Sequence, residues 1–220
     1  MTRATAPRWR IALAVAAGAL LLAGCTQNGN NVTGTPLPAG SSPVDTGAGD
    51  GAPTPPSAAA IAKADLAACP TGSAVSAANG LPDVTLPCLG AGPAVHLSAL
   101  RGTPIVVNIW ASWCGPCREE LPVLATVSKA ASSSVQFLGV DVADFQPEGA
   151  LSLLTQEGIH YPSVVDWDKK TQPALRWPGP PMTVFVRADG TIAYKQIGPL
   201  QSEKQLRSLI STYLGVSVPT

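Results

Sequence analysis

Asn108-Ile109-Trp110-Ala111-Ser112-Trp113-Cys114-Gly115-Pro116-Cys117-Arg118-Glu119-Glu120-Leu121-Pro122 is the stretch on which both the fold and the chemistry of this chain turn. An apolar run beginning at Pro104 leads into it, and Gly115-Pro116 separates its two cysteines, Cys114 and Cys117. The residues beyond have the make-up of a helix, so the first thiol stands where a strand gives way to a helix N-terminus. Unpaired backbone N–H groups and the helix dipole favour a thiolate there, lowering its pKa from about 8.5 toward roughly 7 or below. The second thiol, one turn on, can reach the first and resolve a mixed disulfide from inside the protein. The pattern points to redox chemistry centred on Cys114.

Outward from this stretch, the pattern alternates strand and helix. Pro104 to Trp110 reads as a buried strand and Cys114 to Ala131 as a helix. Val135 to Val142 is a second apolar strand, Pro147 to Glu157 a helix, and Tyr161 to Asp166 a short strand. Thr183 to Arg187 and Thr191 to Ile197 are two strands joined through Ala188-Asp189-Gly190, a good hairpin turn. Gln201 to Leu214 closes the chain as an amphipathic helix through Leu206, Leu209, Ile210 and Tyr213. Upstream, Ala58 to Ala68 predicts a short helix and Leu81 to Leu89 an extended segment. The order argues for one α/β domain over residues 58–220, with a mixed central sheet flanked by helices and an N-terminal extension over 58–96.

The first 57 residues have a different character. Arg3, Arg8 and Arg10 precede an uninterrupted apolar run from Ile11 to Ala23, which is short for a membrane span but suits an export signal. Leu22-Ala23-Gly24-Cys25 resembles a bacterial lipoprotein signal box, which implies a signal over residues 1–24 and a lipidated Cys25 as the first mature residue. An ordinary cleaved signal or an uncleaved anchor is the alternative. Residues 25–57 are rich in Gly, Pro, Ser and Thr with almost no large apolar side chain, and are expected to form a disordered tether. The whole chain has 14 basic and 14 acidic residues; loss of residues 1–24 leaves 11 against 14, net −3. No basic cluster suggests nucleic acid or a polybasic membrane patch. Attachment to the membrane would rest on the lipid, on the outer face of the cytoplasmic membrane.

A Cys-x-x-Cys can also be half of a zinc site or a plain short-range disulfide. Cys25, Cys69, Cys88, His96 and His160 supply no second ligand pair, and neither a metal nor a cofactor is called for. The buried strand before the pair and the helix after it favour the redox reading. Here the chain resembles thioredoxin, and Asn108 to Pro122 is similar to the TlpA/ResA group of membrane-tethered thiol–disulfide oxidoreductases. The likeness runs from about Val84 to Leu214, with Leu97 to Gly102 resembling the turn before the first central strand.

What the resemblance implies is specific. Cys114 takes the place of the exposed nucleophile and Cys117 that of the buried resolving cysteine. Trp113 matches the flanking aromatic residue, and Pro116 the dipeptide position that tunes the reduction potential. Thioredoxin has a buried Asp six residues before its nucleophile, where this chain has Asn108. Glu120 stands where ResA-like proteins have an active-site Glu, and is expected to handle the proton of Cys117. The alternative leaves Glu119 and Glu120 as solvated helix charges. In Gly179-Pro180-Pro181-Met182-Thr183, Pro181 matches the cis-proline that faces the disulfide. A cis bond is accessible there because X–Pro reduces the trans preference to about 0.5–1 kcal/mol. Trp113, Pro116, Pro180 and Met182 are the expected substrate contacts, although Pro180 has no N–H to offer a substrate strand.

The other two cysteines, Cys69 and Cys88, are expected to pair in an exported protein, closing a loop of about 20 residues. A second redox pair exchanging with Cys114 is the alternative. His96 and His160 are single and read as turn or surface residues, while Tyr161, Trp167 and Trp177 pack the core or border the groove beside Pro181. A peroxidase would want a Thr shortly before its cysteine, which this chain lacks. Together these features imply a lipid-anchored reductant of disulfides in exported proteins. By analogy, apocytochrome c is a candidate substrate and a membrane carrier of the CcdA/DsbD kind the electron donor. A disulfide-forming oxidant and a non-catalytic assembly lipoprotein are the rivals.

Overall fold

The computed structural model describes residues 53–72, 77–131 and 134–220. The signal segment, Cys25 and the tether up to residue 52 lie outside the described residues. The elements run, in order, α1 (Ala58–Ala64), β1 (Thr85–Leu86), β2 (Val95–His96), a short 3-10 turn (Leu97–Ala99), β3 (Ile105–Trp110) and α2 (Gly115–Ala131). After these come β4 (Gln136–Val142), α3 (Pro147–Gln156), β5 (Ser163–Asp166), α4 (Gln172–Leu175), β6 (Met182–Val186), β7 (Ile192–Ile197) and α5 (Glu203–Leu214).

Every residue of β3 is buried, and so are six of the seven in β4, which is why both read as near-continuous apolar runs rather than as alternating strands. They form the middle of a five-stranded sheet in the order β5-β4-β3-β6-β7. The β3–β4 and β4–β5 pairs are parallel, whereas β3–β6 and β6–β7 are antiparallel. This mixed sheet with its flanking helices is a thioredoxin-like fold. Its register fixes the site: Asn108 lies opposite Gly139 on one side and Thr183 on the other, and Ile109 opposite Met182. The C-terminal end of β3 therefore meets the N-terminal end of β6, so that Cys114 and Pro181 emerge at the same end of the sheet. The β6–β7 hairpin turns where expected, with Gly190 at φ 88° and its N–H donating to the Arg187 carbonyl.

The upstream region departs from the sequence reading in two places. The helix expected to reach Ala68 stops at Ala64, because Asp65 takes a left-handed conformation at φ 51°. Only Thr85–Leu86 of the expected Leu81–Leu89 strand forms regular pairing, with Val95–His96, since Pro82 and Pro87 cannot donate to a ladder. The rest of that segment does something else. Leu89 N donates to Ser163 O at 2.8 Å, Val165 N to Pro87 O at 2.9 Å, and Cys88 bridges to Val164. Residues 87–89 thus cover the outer edge of β5, and a disulfide between Cys69 and Cys88 ties them to the chain before them.

Candidate active site

The helix α2 starts at Gly115, which makes Cys114 its N-cap residue. The Cys117 N–H, in the first turn, donates to Cys114 Sγ at 3.2 Å, so the sulfur fills the place a Ser or Asp oxygen takes in an ordinary cap. In the reduced protein the same N–H and the helix dipole would stabilise a Cys114 thiolate. Here Cys114 and Cys117 form a disulfide. The expectation of an exposed nucleophile needs qualifying: Cys114 is 5% exposed in this oxidised state, and Cys117 is fully buried. Access to the pair is from the Cys114 side.

Glu120, one turn beyond Cys117, is fully buried, whereas Glu119 beside it is exposed. Asn108 Nδ2 donates to Glu120 Oε1 at 2.7 Å, and the Leu200 N–H, from the segment leading into α5, donates to Oε2 at 2.8 Å. Burial pushes the Glu120 carboxyl up to about 7, against the opposing pull of those two donors. Desolvation wins, so at neutral pH the group is divided between acid and carboxylate. The Tyr161 hydroxyl is buried without a hydrogen-bond partner, and burial, then the Glu120 charge, holds it protonated.

The segment before Cys114 is clamped by the loop that follows β4. Asp144 accepts the Ser112 N–H at 2.8 Å through Oδ2 and the Gln146 N–H at 3.0 Å through Oδ1. The Trp113 indole N–H donates to Ala143 O at 3.1 Å, leaving the ring 58% exposed. Behind this loop lies Asp141, fully buried, with neither carboxyl oxygen meeting a donor. Burial first, then the charge and hydrogen bond of Asp144, push the Asp141 carboxyl well above the usual range.

On the other flank the Pro180–Pro181 bond is cis, and Pro181 O accepts the Gly198 N–H at 3.1 Å from the end of β7. Pro181 is buried, Pro180 partly exposed and Pro116 exposed. Met182, expected to touch substrate, corrects the sequence reading: it is 1% exposed, its side chain drawn into the core by the β6 ladder. Trp177 is buried, and its indole N–H donates to Thr171 Oγ1 at 3.1 Å. His96 lies 2.8 Å from Asp83, and His160 is exposed; neither is at the disulfide. Asp144, Phe145, Ile197 and the Leu200 N–H carry no motif in the sequence, and only the fold brings them to this end of the sheet.

Residues 76–210 match the Redoxin family. The chain is 37% identical over 109 residues to the thiol:disulfide interchange protein CycY of Rhizobium leguminosarum bv. viciae, covering 49% of this chain and 56% of that protein. It is 26% identical over 129 residues to the thiol-disulfide oxidoreductase ResA of Bacillus subtilis, covering 58% and 69%. The match spans 52–65% of the length of the first curated relatives. Among solved structures, a secreted Mycobacterium tuberculosis disulfide oxidoreductase homologous to E. coli DsbE superposes with a TM-score of 0.53 at 26% identity. It covers 59% of this chain and 96% of that one.

Proposed function

We propose that this chain, which belongs to the Redoxin family, is a thiol–disulfide oxidoreductase that reduces disulfides in exported proteins through Cys114 and Cys117. The observation that carries this reading is the Cys114–Cys117 disulfide at the mouth of α2, backed one turn on by a buried carboxyl whose pKa lies at about 7. In the reduced protein the Cys114 thiolate attacks one sulfur of the substrate disulfide, and the other leaves as a thiolate. Glu120 as carboxylate takes the proton of Cys117, whose sulfur then attacks Cys114 Sγ and expels the substrate's second thiolate. Two electrons pass to the substrate, and the Cys114–Cys117 bond is restored. Pro181 brings no N–H to the end of the sheet where Cys114 also lies.

The Gly-Pro pair between the cysteines matches thioredoxin, with a potential near −270 mV, which supports a reductant. The resemblance to the TlpA/ResA group supports apocytochrome c as a substrate and a CcdA/DsbD-type donor. The signal-box likeness supports lipid attachment through Cys25, on the outer face of the cytoplasmic membrane. Radiolabelled palmitate should enter the wild-type protein in cells and fail to enter Cys25→Ala. For the chemistry, Cys117→Ala expressed in cells should accumulate mixed disulfides on Cys114, resolved by non-reducing gels and mass spectrometry. A Cys117→Ala protein that captures no disulfide-linked partner would sink the oxidoreductase reading.

A further inference from the structure

Among the described residues, the large apolar side chains that stand exposed are Trp113 at 58%, Phe145 at 70% and Ile197 at 61%. They come from three distant parts of the chain, yet the topology delivers them to one place. Trp113 follows the C-terminal end of β3, Phe145 follows that of parallel β4, and Ile197 ends β7 opposite Met182. All three stand at the end of the sheet that bears the disulfide. Trp113 and Ile197 flank the Cys114–Pro181 line, and Phe145 lies beyond Trp113. Ser112, Trp113, Ala143, Asp144, Phe145 and Gln146 line an open cleft of about 500 Å³ there.

This cleft is held in shape. The Trp113 indole is fixed by its bond to Ala143 O, and Asp144 ties Ser112 to Gln146. The Phe145 ring meets Trp167 edge-on at a centroid distance of 4.2 Å, so it is braced from behind while its other face is open to solvent. Trp113 and Phe145 both keep most of their surface in water, and a third apolar group laid over them would remove part of it from solvent. The cleft begins at the residue adjoining Cys114. A chain bonded to Cys114 Sγ therefore starts beside it.

We propose that the Trp113–Phe145 cleft seats a bulky apolar side chain of the substrate, located one or two residues from the cysteine that bonds to Cys114. Resting on the oxidoreductase reading, this names the substrate class: extended segments in which a disulfide cysteine has a Phe-, Leu- or Trp-like neighbour. An extended chain advances about 3.3 Å per residue, so a neighbour farther along passes beyond the loop. Folded domains that bury the residues beside their cysteines do not fit.

The test uses two symmetric peptide disulfides, identical except for Phe or Ser two residues from the cysteine. Each is mixed with the protein reduced by dithiothreitol and freed of it. Atoms balance without another reagent, because the protein dithiol becomes a disulfide and each peptide disulfide becomes two thiols. Peptide thiol release is followed by chromatography after acid quench. The wild type should favour the Phe peptide about tenfold in the second-order rate constant, the scale expected for covering one such side chain. Phe145→Ala and Phe145→Ser should bring that ratio to about one by slowing thiol release from the Phe peptide. Equal rates for the two peptides in the wild type, or a ratio that survives both substitutions, overturns the cleft alone. Failure of the wild type to release thiol from either peptide overturns the oxidoreductase reading, and the cleft with it.

Discussion

Glu119 and Glu120 are neighbours in sequence, yet α2 turns the first to solvent and the second into the core, where two donors hold both its oxygens. Spacing places Glu120 close to one helical turn from Cys117, and it was legible as a candidate through the resemblance to ResA-like proteins, which have an active-site Glu there. Its burial was not, because the Leu200 N–H that completes the pocket comes from 80 residues further along the chain. Asn108 is the sequence feature that makes the pocket work. It offers the carboxylate a donor that cannot itself ionise, so the pair never carries two negative charges. A base with a pKa of about 7 is ionised above that pH and protonated below it. Glu120→Gln should therefore slow the second step, release of substrate from a preformed mixed disulfide, by roughly a hundredfold at pH 8. Near pH 5, where the wild-type carboxyl is itself protonated, the two proteins should converge. Stopped-flow measurement across that range decides it: a ratio of rates that does not change with pH removes Glu120 from the proton path.

At the scale of elements, the sequence was most readable where one residue pattern serves one purpose. The buried runs of β3 and β4, the hairpin at Gly190 and the amphipathic α5 all form within two residues of their expected bounds. The one-turn helix α4 carries too few residues for a periodic signal, and it stands between Thr171 and a left-handed Arg176 by virtue of local bonds. The segment at 87–89 is harder still to read, since its pairing partner, β5, lies more than 70 residues away. Its attachment is a long-range edge contact, and the Cys69–Cys88 bridge limits how far it can stray in the unfolded chain. On the chain-entropy account a loop of about 20 residues contributes roughly 3 kcal/mol. The Cys69→Ser, Cys88→Ser double variant should melt about 6–12 °C lower by circular dichroism. Its amide exchange should quicken first at Leu89 and Val165, whose N–H groups make the edge bonds, while Ile109 in the central strand keeps its protection. Unchanged exchange at Leu89 and Val165 would mean that the bridge does not hold this edge.

For the molecule as a whole, the two carboxyls buried deepest at the disulfide end both have their proton affinity raised, and this gives the fold a characteristic response to pH. Glu120 and Asp141 each favour the neutral form in the native state, chiefly because burial penalises the charge. A carboxyl raised in this way contributes its full stability below the ordinary carboxylate range, where folded and unfolded chains are both protonated. As pH rises from about 4.5 to about 7 the unfolded chain releases the Glu120 proton while the folded one retains it. Stability must then fall, by roughly 3 kcal/mol over that window, before levelling off. Asp141 adds a loss of the same sign, because burial first and then the Asp144 charge oppose its ionisation. The depressed carboxyls, Glu148 and Asp189, sit fully in solvent, so screening leaves them little leverage against this trend. The oxidised protein should therefore be more stable toward urea at pH 5 than at pH 8. Glu120→Gln and Asp141→Asn should each remove part of the fall between pH 5 and 8, because a neutral amide fills each site without a proton to lose. Urea midpoints measured at half-unit steps from pH 4.5 to 8.5 test this directly. A wild-type protein that grows more stable with rising pH across that interval would show that these carboxyls are ionised in the fold, and that the proton assigned to Glu120 is not there to be moved.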